Sequence, residues 1–149
     1  MRILIAPYAR KMRNEKENPK NYPWWPELVS LLKEHEMVQI GVDGEKQLVQ
    51  DFRKNLPLSE LQILIKECDF WISADSFLQH MAQHFNKKGV VIWSLSDPNI
   101  FGYPNNINIL KDRKYLRKSQ FEIWEKEEYN THAFVRPEEI FKVITSTFK

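Results

Sequence analysis

A chain of 149 residues, 42% of them hydrophobic and 13% aromatic, is long enough to bury one core and too apolar to be disordered throughout. Its 22 basic and 20 acidic residues nearly cancel, and a net charge of +2 gives no basis for proposing nucleic acid or a membrane surface as a partner. The sole cysteine, Cys68, excludes an intramolecular disulfide and fits a reducing, cytoplasmic compartment, and no apolar run approaches the ~18 residues of a membrane span.

Residues 2–6 read as a buried strand, ended by Pro7 and the basic residues Arg10, Lys11 and Arg13 too soon for a signal peptide. Residues 7–23 form a polar loop with Pro7, Pro19 and Pro23. Trp24–His35 is a predicted helix: Trp24, Leu28, Leu31 and Leu32 recur at helical spacing, and Pro26 falls in the first turn. Met37–Gly41 is a second strand, followed by the turn Val42-Asp43-Gly44. A short strand is expected at Leu48–Phe52. Leu58–Glu67 reads as a helix capped by Ser59, with Leu61, Leu64 and Ile65 on one face.

A strand at Phe70–Ser73, a helix at Ser76–Phe85, a strand at Val90–Trp93, a loop over 94–106 and a strand at Ile107–Leu110 follow. Residues 111–130 carry charges and aromatics without a periodicity that places them. The closing helix starts at Pro137, with Glu138 and Glu139 placed well for its dipole and Ile140, Phe141 and Ile144 as its apolar face. Alternating strands and helices predict an α/β fold: a Rossmann-like, doubly wound, mainly parallel sheet. Ligands of such sheets bind beyond the carboxyl ends of the strands, so the loops after Ala6, Gly41, Ser73 and Trp93 share the candidate edge.

The stretch Ser73-Ala74-Asp75-Ser76-Phe77-Leu78-Gln79-His80 takes a strand through a polar turn into a helix. Free N–H groups at that helix start accept an anion, Asp75 or Ser76 can cap the helix, and His80 lies one turn on. On spacing alone, a cap and a half-buried histidine are the favoured explanation of these residues, because capping is frequent.

The same residues resemble a stretch of the family 9 glycosyltransferases, which include the lipopolysaccharide heptosyltransferases. In that family a small residue, Asn or Val, Asp, Ser or Thr, Gly, two variable residues and His open an Ala-rich helix. Asp75, Ser76, His80 and Ala82 fall at matching places. Leu58-Ser59-Glu60-Leu61, Val90–Trp93, Ser96-Asp97-Pro98, Phe101-Gly102-Tyr103, Lys20-Asn21-Tyr22-Pro23 and Val135–Ile140 are similar to other family segments in the same order.

The resemblance implies one half of a GT-B glycosyltransferase, the C-terminal half that binds the nucleotide of a sugar donor, typically ADP-heptose. Residues 1–149 then form one such domain, with 111–133 as an insertion. Carried over residue by residue, Lys20 faces a phosphate. Asp75, Ser76 and the amides of Phe77 and Leu78 sit at the diphosphate with His80 close by. Ser96 and Asp97 belong to the loop after the next strand, and Glu45 holds a ribose hydroxyl. No further cofactor and no metal are implied.

Two departures stand out. Phe77 occupies the family's glycine, where a side chain restricts the approach of a phosphate to the backbone. The resemblance also does not extend to the family's N-terminal half, which binds the acceptor and carries the base. Transfer is therefore expected to need a homodimer or a separate acceptor-binding chain. The alternative is a module that binds or sequesters a nucleotide ligand without transfer, and a purely structural protein is the third reading.

Weaker signals complete the inventory. His80 and His84, four residues apart, offer two metal ligands without an obvious third. Trp24 and Trp25 suit base stacking but more often fill a core. The five basic residues within Lys111–Lys118 read as a solvated face, and Phe121-Glu122-Ile123-Trp124 as an amphipathic patch.

Overall fold

The computed structural model describes residues 1–148; Lys149, the last residue of the expected domain, lies outside the described residues. Six strands, β1 (Arg2–Ala6), β2 (Glu36–Gly41), β3 (Asp51–Lys54), β4 (Phe70–Ala74), β5 (Gly89–Ile92) and β6 (Ile107–Ile109), form one sheet in the order β3-β2-β1-β4-β5-β6. Every neighbouring pair is parallel. Helices α1 (Trp25–Leu31), α2 (Leu58–Glu67), α3 (Phe77–His84), α4 (Pro98–Phe101) and α5 (Pro137–Thr147) lie in the connections and after β6. The doubly wound arrangement expected from the alternating pattern is present.

Strand alternation builds the two cores. Ile3, Ile5, Phe70, Ile72, Val90 and Ile92 face one way, onto Trp25 and Leu28 of α1 and Ile140 and Ile144 of α5. Leu4, Ala6, Trp71 and Val91 face the other, onto Leu61, Leu64 and Ile65 of α2 and Leu78 and Ala82 of α3. Fully burying one such aliphatic side chain contributes about 1.5–3 kcal/mol, whereas an exposed pair such as Lys142–Glu139 contributes about 0–1 kcal/mol. The sheet and its two helix layers therefore carry the stability.

Several boundaries differ from the expected ones, each with a local cause. Helix α1 stops at Leu31, before the polar Lys33-Glu34-His35 turn, and its buried residues are Trp25 and Leu28 rather than Trp24 and Leu31. Trp25 is held inward by its indole N–H, which donates to the Pro7 carbonyl at 3.0 Å. Trp24 packs edge-on against Tyr22 and beneath the guanidinium of Arg136.

The strand expected at Leu48–Phe52 starts only at Asp51. The fully buried amide of Gln39 accepts from Leu48 N at 2.7 Å and donates to Lys46 O at 2.9 Å. It thereby satisfies the loop backbone that strand pairing would have used. Ser59 does not cap α2, whose N-cap is Pro57.

Strand β4 extends to Ala74, α3 starts at Phe77, and β5 runs from Gly89 to Ile92. The loop over 94–106 contains α4, because Asp97 caps it by accepting from Asn99 N at 2.9 Å. Phe141 is only partly buried in α5, where Ile140 and Ile144 are buried. At the Val42-Asp43-Gly44 turn, Gly44 has φ +90°, a conformation costly for any other residue.

Gly89 opens β5 directly beside Trp71 in the parallel register, and a Cβ there would lie 2.0 Å from Trp71 Cε2. The indole is fully buried and cannot swing aside. Gly89→Ala is therefore expected to destabilise the fold by about 1–3 kcal/mol, the usual cost of overpacking, read as a lowered midpoint in urea denaturation.

Candidate anion site at the switch point of the sheet

Strands β1 and β4 are neighbours, yet β2 and β3 extend to one side of them and β5 and β6 to the other. The segments leaving the carboxyl ends of β1 and β4 consequently diverge to opposite faces and leave a crevice between them. The loop after β1 is fixed there by two buried asparagines. Asn18 Oδ1 accepts from Lys20 N at 3.0 Å while its amide donates to Arg10 O, and Asn21 Oδ1 accepts from Ala9 N at 2.7 Å.

This scaffold aims Lys20 at the start of α3. Its Nζ lies 3.2 Å from Asp75 Oδ2, and Asp75 Oδ1 accepts from Gln79 Nε2 at 2.7 Å. Both Asp75 oxygens are thus engaged by side chains, and Ser76, the N-cap residue, makes no side-chain cap. The expected cap by Asp75 or Ser76 is therefore not formed. The first-turn amides, including those of Phe77 and Leu78, keep no side-chain acceptor, and the Ser76 hydroxyl is buried without a partner.

Lys20, Asp75, Ile92, Trp93, Ser94 and Ser96 line a crevice with no free volume large enough for a water molecule. It is closed to a ligand as it stands, since small-molecule sites begin at about 300 Å³. A larger concavity of about 440 Å³, lined by residues such as Lys33, His35 and Asp51, lies at the amino ends of β2 and β3, away from these groups.

The other sequence-selected residues distribute around this edge. Phe77 is 53% exposed and does not line the crevice, while Leu78 is buried in the core and offers only its backbone. His80 is exposed, with Nδ1 2.7 Å from the Tyr103 hydroxyl and the two rings edge to face. His80 and His84 gather no third metal ligand among the described residues.

Glu45 lies apart from the Lys20 crevice, at the end of β2. Its carboxylate accepts from Val42 N at 2.6 Å, in space kept open by Gly41, where a Cβ would sit 2.1 Å from Oε1. Burial raises the Glu45 pKa. Burial, with Glu17 and Glu45 nearby, raises that of Tyr8.

Ser96 is buried in the crevice wall. Asp97 is held by a two-pronged contact from Arg113, at 3.1 and 2.7 Å, and this guanidinium lowers its pKa.

Sequence reasoning missed the residues that cover this edge. Residues 111–133 contain three short 3₁₀ turns, Arg113–Tyr115, Trp124–Lys126 and Thr131–Ala133. Gln120 donates to Leu95 O and Arg117 O and accepts from Asp97 N. Trp124 lies under both Lys20 and Arg117. The basic run is not wholly solvated as expected: Arg117 has a side chain only 1% exposed, because it stacks on Trp124 and pairs with Glu127 at 3.0 Å. Phe121 and Ile123 remain exposed. The available signal was the adjacency of a basic run to an amphipathic aromatic one.

No protein-family model matches the chain, and no curated protein matches it. Solved structures do. The Escherichia coli heptosyltransferase WaaC, solved with ADP, superposes with a TM-score of 0.69 at 14% identity, over 97% of this chain and 43% of that one. The chain has the fold of part of a heptosyltransferase. The E. coli ADP-heptose lipopolysaccharide heptosyltransferase II gives a TM-score of 0.67 at 17% identity, over 97% of this chain and 45% of that one. The iron-containing dodecameric glycosyltransferase TibC of enterotoxigenic E. coli gives 0.62 at 18%, over 91% and 36%. The chain thus spans less than half the length of each. Its fold is Rossmann-like and resembles one half of a GT-B glycosyltransferase, as the sequence resemblance implies. No helix among the described residues is long and apolar enough to cross a membrane.

The Arg113–Asp97 contact ties the covering segment to the loop after β5. Because Arg113 depresses the Asp97 pKa, its stabilisation is complete above the unfolded carboxyl pKa of about 3.9 and disappears as pH falls through the lower folded value. The melting temperature of Arg113→Ala is expected to lie below that of wild type at pH 7 and to converge with it as pH falls below the depressed Asp97 pKa, as followed by circular dichroism.

Proposed function

We propose that this chain binds a nucleotide-diphosphate sugar of the ADP-heptose type at the switch-point crevice and serves as the donor side of a glycosyl transfer. The observation that carries the reading is the convergence of Lys20 with the uncapped start of α3. It is supported by the likeness of the fold to a heptosyltransferase solved with ADP.

The chemistry suits the residues. Transfer breaks the bond between the sugar's anomeric carbon and the diphosphate oxygen, and negative charge develops on the departing diphosphate. A lysine and backbone N–H groups at a helix start oppose that charge. In this reading Lys20 meets a phosphate, the Ser76 hydroxyl and the amides of Phe77 and Leu78 donate to the same group, and Ser96 borders it. Glu45 takes a ribose hydroxyl from the end of β2, and His80, held by Tyr103, stands at the outer rim. Asp75 acts as the resting counter-ion of Lys20, and Asp97 organises the covering segment through Arg113.

Entry of the diphosphate requires Lys20 to exchange Asp75 for the ligand, which also widens the crevice. In this reading the acceptor and base are supplied from outside residues 1–149, as by a second copy or a separate chain. Residues 1–149 act as one nucleotide-binding domain with 111–133 as an insertion, in a cytoplasmic step of lipopolysaccharide assembly.

Calorimetry with ADP and ADP-heptose tests the reading. Wild type is expected to bind, and Lys20→Ala to lose about 1.5–3 kcal/mol, the worth of a charged hydrogen bond. Phe77→Gly is expected to bind at least as well as wild type, since the ring lies outside the crevice. Absence of binding by both wild type and Phe77→Gly would overturn the proposal. Monomeric protein is expected to give no turnover in a sugar-transfer assay, and turnover by a monomer would refute the need for a second chain.

A further inference from the structure

We infer that Arg117 is a second cation of this anion site and takes the phosphate next to the one held by Lys20. The inference rests on the nucleotide-diphosphate reading above and names a binding residue beyond it.

The guanidinium of Arg117 is almost wholly buried, yet its donors are poorly used. Nη2 donates to Ile123 O at 3.0 Å, and Nε lies 3.0 Å from Glu127 Oε1 without hydrogen-bond alignment. Nη1 has no partner at all. A buried cation keeps idle donors at a cost, and a forked guanidinium is suited to a phosphate oxygen.

Its location fits. Arg117 N donates to the carbonyl of Leu95, the residue between the crevice-lining Ser94 and Ser96. The guanidinium carbon lies 4.2 Å from the centroid of the Trp124 ring, and Lys20 Nζ lies 4.8 Å from that same centroid. The two cations therefore share one aromatic ring, and each has its own carboxylate, Asp75 for Lys20 and Glu127 for Arg117. Two cations balanced by two carboxylates form a neutral resting set. A diphosphate, with anionic oxygens on both phosphorus atoms, replaces both carboxylates at once, whereas a single phosphate needs only Lys20.

Pyrophosphate and orthophosphate are the probes, titrated by calorimetry into the full chain, wild type, Glu127→Gln, Arg117→Lys and the double variant, with thermal melts as the check on folding. Glu127→Gln frees Arg117 and is expected to tighten pyrophosphate about tenfold while changing orthophosphate little. Arg117→Lys keeps the charge but loses the planar fork, and is expected to weaken pyrophosphate about tenfold. In the double variant the gain from Glu127→Gln is expected to vanish.

Equal pyrophosphate affinity in wild type, Glu127→Gln and Arg117→Lys would make Arg117 a structural strut and overturn this inference alone. An equal gain for both probes in Glu127→Gln would mark a general field effect and overturn it likewise, even if Arg117→Lys fails to fold. No binding of pyrophosphate or ADP to wild type or Glu127→Gln would overturn both this inference and the nucleotide reading.

Discussion

Because Ile3–Ala6 of β1 pair in parallel register with Phe70–Ser73 of β4, the chain leaves these two strands side by side and in opposite lateral directions. The candidate site follows from that pairing. Lys20 arrives from the segment after β1, and Asp75, Ser76 and the start of α3 from the segment after β4. The pairing is secured by apolar side chains on both faces of the sheet: Ile3, Ile5, Phe70 and Ile72 on one, Leu4, Ala6 and Trp71 on the other. Moving either strand by one residue would exchange these faces, so the register is strongly specified.

Charge at the carboxyl edge is paired and partly desolvated. Lys20 with Asp75, Arg113 with Asp97 and Arg117 with Glu127 are three ion pairs at or around one crevice. Fully exposed pairs of this kind contribute little, but pairs drawn out of water are costly to break one partner at a time. An anion that supplies new negative charge can exchange with a carboxylate without leaving a lysine or arginine unpaired. The closed crevice and the paired cations are thus one feature: each cation at this edge lies beside a carboxylate of the chain itself.

The segment over 111–133 has no strand or α-helix, yet it is bound closely to the sheet edge. Lys111 donates to His132 O within the segment, while Gln120 bridges Leu95 and Asp97 and the Tyr129 hydroxyl donates to Asn21 O. These contacts hold Trp124 over Lys20. A loop held by side-chain hydrogen bonds on a rigid sheet is a common way to build a binding surface.

The strands other than β3, the order of the elements and the buried residues of α2 and most of those of α5 were written in the sequence, because hydrophobic periodicity is a local property that burial enforces. The strand-to-helix turn around Asp75 was legible for the same reason, and the separate resemblance at Lys20-Asn21-Tyr22-Pro23 led to the expectation of Lys20 at the same edge, where it lies beside Asp75. Tertiary structure decided the rest. Gln39 turned an expected strand at Leu48 into a loop by taking its backbone hydrogen bonds. Lys20 and Gln79 hold the Asp75 carboxylate that was expected to cap α3, and Trp124 and Glu127 bury Arg117 within an apparently solvated basic run. Each outcome depends on polar groups distant in sequence meeting at one edge of a sheet, where desolvation forces them to find partners. No local spacing encodes that encounter.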